Sequence, residues 1–426
     1  MRVGDRISHV KALRPAPRRR VEPLAEPRGL SPDTPPGSEG LAQLLGAGCG
    51  RNRYGEHLAL RRWFSEPAGC EPQPEALRLI APDAPKEAAD PTQWLFLDTE
   101  TTGLAGGTGT YAFLVGIAWW DAGGLEFEQF FMRDYSEEHS VLVALGERLA
   151  ERRVLVTFNG KSFDWPLLET RYRMTRAIAP RAPRAHLDLL HPARQLWRLR
   201  LGSVRLPELE RHVLGWNRGA DVMSELIPQI YFDFVRGGPP EPLVPVFRHN
   251  QMDLRGLATL AAKVFSLLAE PESASDDALE LYGMSRLLHR RGSPAQARGL
   301  YTRALESGLP EAVDRAARRE LAQLAKRELD FPLANSLWQD LLGDSREGLD
   351  AYEQLAIYYE HHAHQPERAA TLAREALTNL RKALHSGHIE PGRFRRTQAR
   401  LEHRLARLMR KASRPVAGRL LADAIG

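Results

Sequence analysis

An apolar run that ends in two acids, QWLFLDTE at residues 93–100, constrains the fold more than any other feature of this chain. Its unbroken hydrophobic stretch predicts a strand that is buried on both faces, as in the sheets of α/β proteins. Further strands are predicted at TYAFLVGIAWW, LEFEQFFM, RVLVTF and AHLDLLH. One helix is predicted at residues 137–152, and another begins with FDWPLLETRYRM at residue 163. Strands interleaved with helices predict one α/β domain over residues 94–268.

The segments on either side of this domain differ from it in composition. Residues 1–40 are rich in Pro, Arg, Gly and Ser, and we expect a disordered basic tail because they hold too little apolar surface to offset chain entropy. Residues 41–93 carry short apolar runs broken by Gly and Pro, and are predicted to form an N-terminal appendage. A polar, acidic linker at 269–278 leads to residues 279–426, which have helical periodicity and end in a basic helix. This last region is predicted to be an all-α domain.

Small and aromatic residues recur in the helical region. The three sets, separated by offsets of 37 and 35 residues, are Ala297, Tyr301 and Ala304, then Ala334, Trp338 and Leu341, then Ala369, Ala373 and Ala376. These offsets are close to the 34-residue tetratricopeptide period, and favour paired repeat helices over the alternative of a plain helical bundle. Because such repeats commonly bind other proteins, a protein partner is predicted for this region.

Composition argues against several classes of protein. No apolar run reaches the roughly 18 residues needed to cross a bilayer, and the first ten residues lack the apolar core of a signal peptide. Cys49 and Cys70 provide neither a disulfide framework nor a Cys-based zinc site. We therefore expect a cytoplasmic protein with no membrane partner.

Positive charge is concentrated in two segments. Residues 173–218 hold ten arginines against three acids, and residues 381–414 hold eleven Lys or Arg against two acids. Basic clusters attract nucleic acid. Genomic base composition is the alternative explanation, since Arg outnumbers Lys 52 to 7.

Four acids occupy positions that an α/β domain can bring together. Asp98 and Glu100 point the same way because side chains alternate along a strand. Asp164 follows the fourth predicted strand, and Asp253 lies on a late helix, one turn after His249. Adjacent carboxylates repel each other unless a cation lies between them, and hard oxygen donors prefer Mg²⁺ or Mn²⁺. The pattern favours a metal site.

These segments resemble the ribonuclease H-like superfamily of 3′–5′ exonucleases that carry an Asp-Glu-Asp-Asp signature. FLDTETTG, FNGKSFD, HLDLLHPAR and HNQMD carry the resemblance, and the chain is most similar to a bacterial group of predicted exonucleases with C-terminal helical repeats. The resemblance implies a mixed sheet of about five strands, the second antiparallel, flanked by helices. It also implies that Asp98, Glu100, Asp164 and Asp253 bind two Mg²⁺ or Mn²⁺ ions. These ions would assist the hydrolysis of phosphodiester bonds of DNA or RNA by water.

His249 is the expected proton acceptor. In the superfamily a His or Tyr on the last helix lies near the attacking water, and His249 stands at the Tyr-type spacing, four residues before Asp253. An ordinary imidazole, with a pKa of about 6.5, suits proton removal at neutral pH, although a purely structural His is the alternative. Thr99, Asn159 and Lys161 are predicted to contact substrate. For Asn159 and Lys161 a loop-capping Asn and a solvated Lys are the alternatives.

Other motifs carry less information. Asp188 in HLDLLH is a supporting residue or a structural strand-end acid, with the structural role favoured. The HHAH motif that includes His361 and His364 is more typical of a solvated helix end than of a metal site. GGTG at residues 106–109 lacks the Lys-Ser/Thr ending of a phosphate-binding loop. Two alternatives to an exonuclease stay open, a non-catalytic nucleic-acid-binding adaptor and an endonuclease on structured nucleic acid.

Overall fold

The structure is a computed structural model that describes residues 38–65, 72–103, 109–121, 123–176, 182–273, 275–343 and 345–413. Most of the predicted N-terminal tail, and residues 106–108 of the GGTG motif, lie outside the described residues. The chain divides into two units, Met1–Glu270 and Pro271–Gly426.

A mixed sheet forms the centre of the first unit. Its strands, within the described ranges, are β1 (Gly48–Asn52), β2 (Gly55–Phe64), β3 (Trp94–Thr101), β4 (Ala112–Asp121), β5 (Gly124–Phe131), β6 (Val154–Thr157) and β7 (Ala185–Asp188). The seven strands lie in the order β1-β2-β5-β4-β3-β6-β7. β3 pairs in parallel with β6, and β6 with β7, whereas the other neighbours are antiparallel. The five predicted strands are therefore present, with β4 antiparallel to β3 as expected.

The two additional strands come from the segment that was predicted to be an appendage. β1 and β2 form a hairpin, and β2 pairs with β5 from Leu58 to Phe64. Leu58 and Leu60 are buried in the same core as the central strands. The hairpin widens the sheet because it covers the backbone groups along the open edge of β5, which would otherwise lack partners.

Helices flank the sheet. Those of the first unit are α1 (Ser38–Leu45), α2 (Pro74–Ile80), α3 (Glu138–Glu151), α4 (Asp164–Thr175), α5 (Leu190–Leu201), α6 (Leu206–Leu209), α7 (Ile227–Val235) and α8 (Leu243–Ala269). α6 continues into a π-helical turn at Glu210–Leu214. α8 packs against β3 and β4. It does so because Phe247, Leu254 and Leu257 recur on one helical face and are fully buried there.

One edge of the sheet collects the ends of three parallel strands. The first four residues of β3, Trp94 to Leu97, are buried, and Asp98 onward is half-buried. Thr157 at the end of β6 is in register with Asp188 at the end of β7. Since parallel strands end at the same edge, β3, β6 and β7 deliver their polar residues to one place.

Among the described residues of the second unit, helices are the only regular secondary structure. Its helices are α9 (Ala278–Arg290), α10 (Pro294–Glu306), α11 (Glu311–Arg327), α12 (Phe331–Leu341), α13 (Arg346–His361), α14 (Pro366–His385) and α15 (Pro391–Ala412). The periodic Ala, Tyr, Trp and Leu residues named above are all buried in α10, α12 and α14. The predicted fold class, an α/β domain followed by an all-helical region, is thus confirmed. Among the described helices, none is long and apolar enough to span a membrane.

Candidate active site

Asp98 and Glu100 form the base of the candidate site. Both carboxylates are half-buried where β3 leaves the core. Burial raises the pKa of Asp98 and of Glu100 well above the usual carboxyl range, and repulsion raises both further, from Asp253 first and then from other acids that include Asp164. Asp164 and Asp253 therefore lie close enough to oppose the ionisation of Asp98 and Glu100.

Asp164 enters the site from the start of α4. Its Oδ1 accepts a hydrogen bond from Oγ1 of Thr99, at 2.6 Å. Burial raises the pKa of Asp164, and the bond from Thr99 partly opposes this. Thr99, which was predicted to contact substrate, therefore uses its hydroxyl to hold Asp164.

The loop before α4 is held by Asp188. This buried carboxylate accepts hydrogen bonds from the backbone N–H groups of Asn159 at 2.8 Å, Lys161 at 3.1 Å and Leu190 at 3.1 Å. Asn159 has a φ of 69°, in the left-handed region that Asn tolerates. The backbones of the two predicted substrate contacts thus shape the loop, while the Lys161 side chain is exposed. These hydrogen bonds support the structural role that we favoured for Asp188. They also hold the loop that leads into Asp164 at the start of α4.

His249 and Asp253 share one face of α8, as the spacing predicts. His249 Nε2 lies 3.3 Å from Asp253 Oδ2. The opposite ring nitrogen, Nδ1, lies 2.9 Å from both carboxylate oxygens of Asp221. Although burial would raise the pKa of Asp221, the hydrogen bonds from His249 and Arg218 hold it below its usual value. An ionised carboxylate beside Nδ1 favours a proton on that nitrogen, and Nε2 is the ring nitrogen that faces Asp253.

Arg218 links the acids of this side of the site. Its guanidinium pairs with Glu210, Asp221 and Asp253. Glu210 is almost fully buried, and Gly256 on α8 leaves room for it, since a Cβ at residue 256 would lie 1.9 Å from Glu210 Oε1. Arg218 therefore holds Oδ1 of Asp253, while Oδ2 faces His249.

A chain of amides fixes Asp98 from behind. Gln251 donates to Gln129 at 2.7 Å, Gln129 donates to Asn250 at 2.7 Å, and Asn250 donates to Asp98 Oδ2 at 2.8 Å. Asp98, Gly116 and Gln129 are register partners on β3, β4 and β5. Gly116 is required because a Cβ there would lie 1.9 Å from Asn250 Oδ1.

Sequence reasoning missed several of these residues. Arg218 and Asp221 lie in the loop between the π-helical turn and α7, where no periodicity marks a function. Asn250 follows His249, but the gap at Gly116 that admits its amide depends on how three strands align. The available signal was the concentration of charge and aromatic character in a Gly-flanked loop, GWNRGAD at residues 215–221.

The donor set fits a divalent metal ion. Among the described residues, Glu100, His249 and Asp253 each offer a ligand atom, and these atoms lie within 4.8 Å of one another. Asp98 and Asp164 lie near this group, because repulsion from Asp253, Glu100 and Asp164 raises the pKa of Asp98. A cation between carboxylates would remove that repulsion, and a set of mostly oxygen donors suits Mg²⁺ or Mn²⁺. The HHAH histidines offer no comparable set: His361 is half-exposed at the end of α13, beside Glu360, which already binds Arg404 and Arg407.

Comparison with known proteins adds to this geometry. The family model of the RNase_H superfamily matches residues 95–265. Over 323 residues the chain is 31% identical to an uncharacterised Bacillus subtilis protein, YprB, and the match covers 75% of each chain. It therefore extends well beyond the segment that the family model covers.

Proposed function

Residues 95–265 of this chain form a domain of the ribonuclease H superfamily, and from that premise we propose that the protein is a metal-dependent nuclease. Its substrates would be the phosphodiester bonds of DNA or RNA, cleaved from the 3′ end with two Mg²⁺ or Mn²⁺ ions. One observation carries the proposal: Asp98, Glu100, Asp164 and Asp253 meet at the end of β3, where burial and mutual repulsion raise the pKa of Asp98 and of Glu100. Holding such a set without a cation costs free energy, and the function of a non-catalytic adaptor would not require it.

Each residue has a role in this proposal. The four acids would hold the ions, which when bound lower the pKa of a water and stabilise the leaving oxygen. Thr99 and Asn250 orient two of the carboxylates through their hydrogen bonds. Asp221 keeps the proton of His249 on Nδ1, so that Nε2 can accept a proton from the attacking water.

The decisive experiment is digestion of DNA and RNA oligonucleotides, labelled at either end, with Mg²⁺ or Mn²⁺. A 3′–5′ exonuclease shortens a 5′-labelled strand in single-nucleotide steps and releases a labelled mononucleotide from a 3′-labelled one. Asp98→Asn should lower the rate by about 10³-fold, which corresponds to several kcal/mol of barrier. Asp83→Asn, at an exposed turn, is the matched control and should leave the rate unchanged. Binding without hydrolysis by the wild type would favour the adaptor instead.

We also propose that the helices of the second unit form a tetratricopeptide-like region, and that this region binds another protein. We propose further that the protein is cytoplasmic. Support comes from the burial of Ala297, Tyr301 and Ala304 and of their counterparts one and two periods later. Residues 94–268 remain our proposed limits of the α/β segment that carries the site, to whose sheet the β1–β2 hairpin adds two strands, and residues 279–426 remain those of the helical domain.

A further inference from the structure

A cavity adjoins the candidate active site on the side of Arg218. Its volume is about 320 Å³, and it is lined by Glu210, Trp216, Asn217, Arg218, Met252 and Arg255. Met252 directly precedes Asp253 on α8, and Arg255 follows two residues later. Arg218 lines the cavity and also pairs with Asp253, so that one side chain contacts both the cavity and an acid of the site.

The cavity offers a planar surface for stacking. The Arg255 guanidinium lies over the Trp216 indole, 4.7 Å from the ring centroid. Trp216 is half-buried, so part of the indole stays accessible. Nucleobases stack on aromatic rings and on guanidinium planes without a strict sequence preference. Asn217, which is exposed, adds an amide at the rim of the same cavity.

The loop that carries Trp216 is anchored. Gly215 and Gly219 have positive φ values of 73° and 70° and bracket the segment. The backbone N–H of Trp216 donates to the Glu210 backbone carbonyl at 2.8 Å. The Arg218 guanidinium pairs with the buried Glu210 carboxylate and so also holds the loop. The indole is therefore presented on a fixed segment, as a stacking platform requires.

We propose that this cavity binds one nucleotide of the nucleic-acid substrate, next to the phosphodiester that is cleaved, with its base stacked on the Trp216–Arg255 pair. This inference rests on the proposed nuclease function and names the subsite that holds its substrate. The volume of about 320 Å³ lies near the lower end of the about 300–1,000 Å³ typical of small-ligand sites, which suits a single nucleotide.

The test measures binding of a fluorescent single-stranded oligonucleotide by anisotropy in EDTA, where metal-dependent hydrolysis cannot contribute. Trp216→Ala should weaken binding by about 5- to 150-fold, the range for loss of one stacked base, and Trp216→Phe should retain most of the affinity. Trp63→Ala, at an exposed tryptophan of β2, is the control and should bind as the wild type does. Thermal melts would establish that each variant is folded.

An abasic scan makes the test specific. At one position of the oligonucleotide, an abasic unit should weaken binding to the wild type but not to Trp216→Ala. The inference is overturned if Trp216→Ala binds as the wild type does, or if abasic units weaken both proteins equally at every position. If the wild type hydrolyses nucleic acid but either of these results is found, the proposed nuclease function is retained and only the nucleotide subsite is rejected. A wild type that neither binds nor hydrolyses removes both.

Discussion

Asp221 faces Nδ1 of His249 at 2.9 Å through both of its carboxylate oxygens, so that the imidazole is held from a loop outside its own helix. His249→Ala should lower the turnover number by about 10²- to 10⁴-fold, the usual loss for a general base. Asp221→Ala should lower it by about 10- to 100-fold, as for other residues that orient a catalytic group. Because Asp221 acts through His249, the double variant should be no slower than His249→Ala. Single-turnover rates at saturating metal would show this, with Asp233→Ala, an exposed side chain of α7, as control. Additive losses would mean that the two residues act separately.

Asp98→Asn should stabilise the metal-free protein at neutral pH. The pKa of Asp98 is raised on folding, so the folded state binds more protons than the unfolded state between a pH of about 4 and the raised value. Stability therefore falls as pH rises through that window. The variant lacks this group, and its free energy of unfolding should exceed that of the wild type at pH 7 and approach it near pH 4. Denaturant titrations in EDTA at both values would measure the difference. A variant that is less stable at pH 7 would contradict electrostatic repulsion at this site.

Mg²⁺ or Mn²⁺ should raise the melting temperature of the wild type. A ligand that binds only the folded state at 100 times its dissociation constant adds about 2.7 kcal/mol. Glu100→Gln, which removes one of the three groups within 4.8 Å, should lose most of this gain, whereas Glu151→Gln at the exposed end of α3 should keep it. Differential scanning calorimetry with and without metal is the measurement. Equal metal-induced shifts in both variants would place the metal elsewhere.

Gly116→Ala should damage the site without touching any acid. The added methyl group would overlap the Asn250 amide, which donates to Asp98. We expect a loss of about 1–3 kcal/mol in the free energy of unfolding and a weaker affinity for metal, measured by calorimetric titration. Gly299→Ala on α10 has open space around it and should be neutral or slightly stabilising, because Ala favours helices. Unchanged stability and metal affinity in Gly116→Ala would show that Asn250 is not needed there.

A chain that ends at Glu270 should fold on its own. The first unit ends at this residue and has its own sheet and core. The truncated protein should keep a cooperative thermal transition and its hydrolytic activity on short oligonucleotides. Circular dichroism and the digestion assay would measure these two properties. An insoluble product or a non-cooperative melt would show that the second unit is needed for folding.

Local patterns in the sequence were sufficient for much of the fold and for several site residues. The apolar run at Trp94–Leu97 marks a central strand, and the alternation along it places Asp98 and Glu100 on one face. A spacing of four residues does the same for His249 and Asp253 on α8. These relations depend only on the repeat of a strand or a helix, so a single chain segment determines them.

The tertiary structure decided the rest, because those contacts join segments that are far apart in sequence. Asn250 reaches Asp98 only because strand register places Gly116 between Asp98 and Gln129. Arg218 and Asp221 approach α8 from an irregular loop, and the buried carboxylate of Glu210 sets the position of Arg218. The hairpin of β1 and β2 likewise joins the sheet by pairing with β5, more than 60 residues later. Register, loop path and edge pairing are set by the packing of the whole domain, and no local periodicity encodes them.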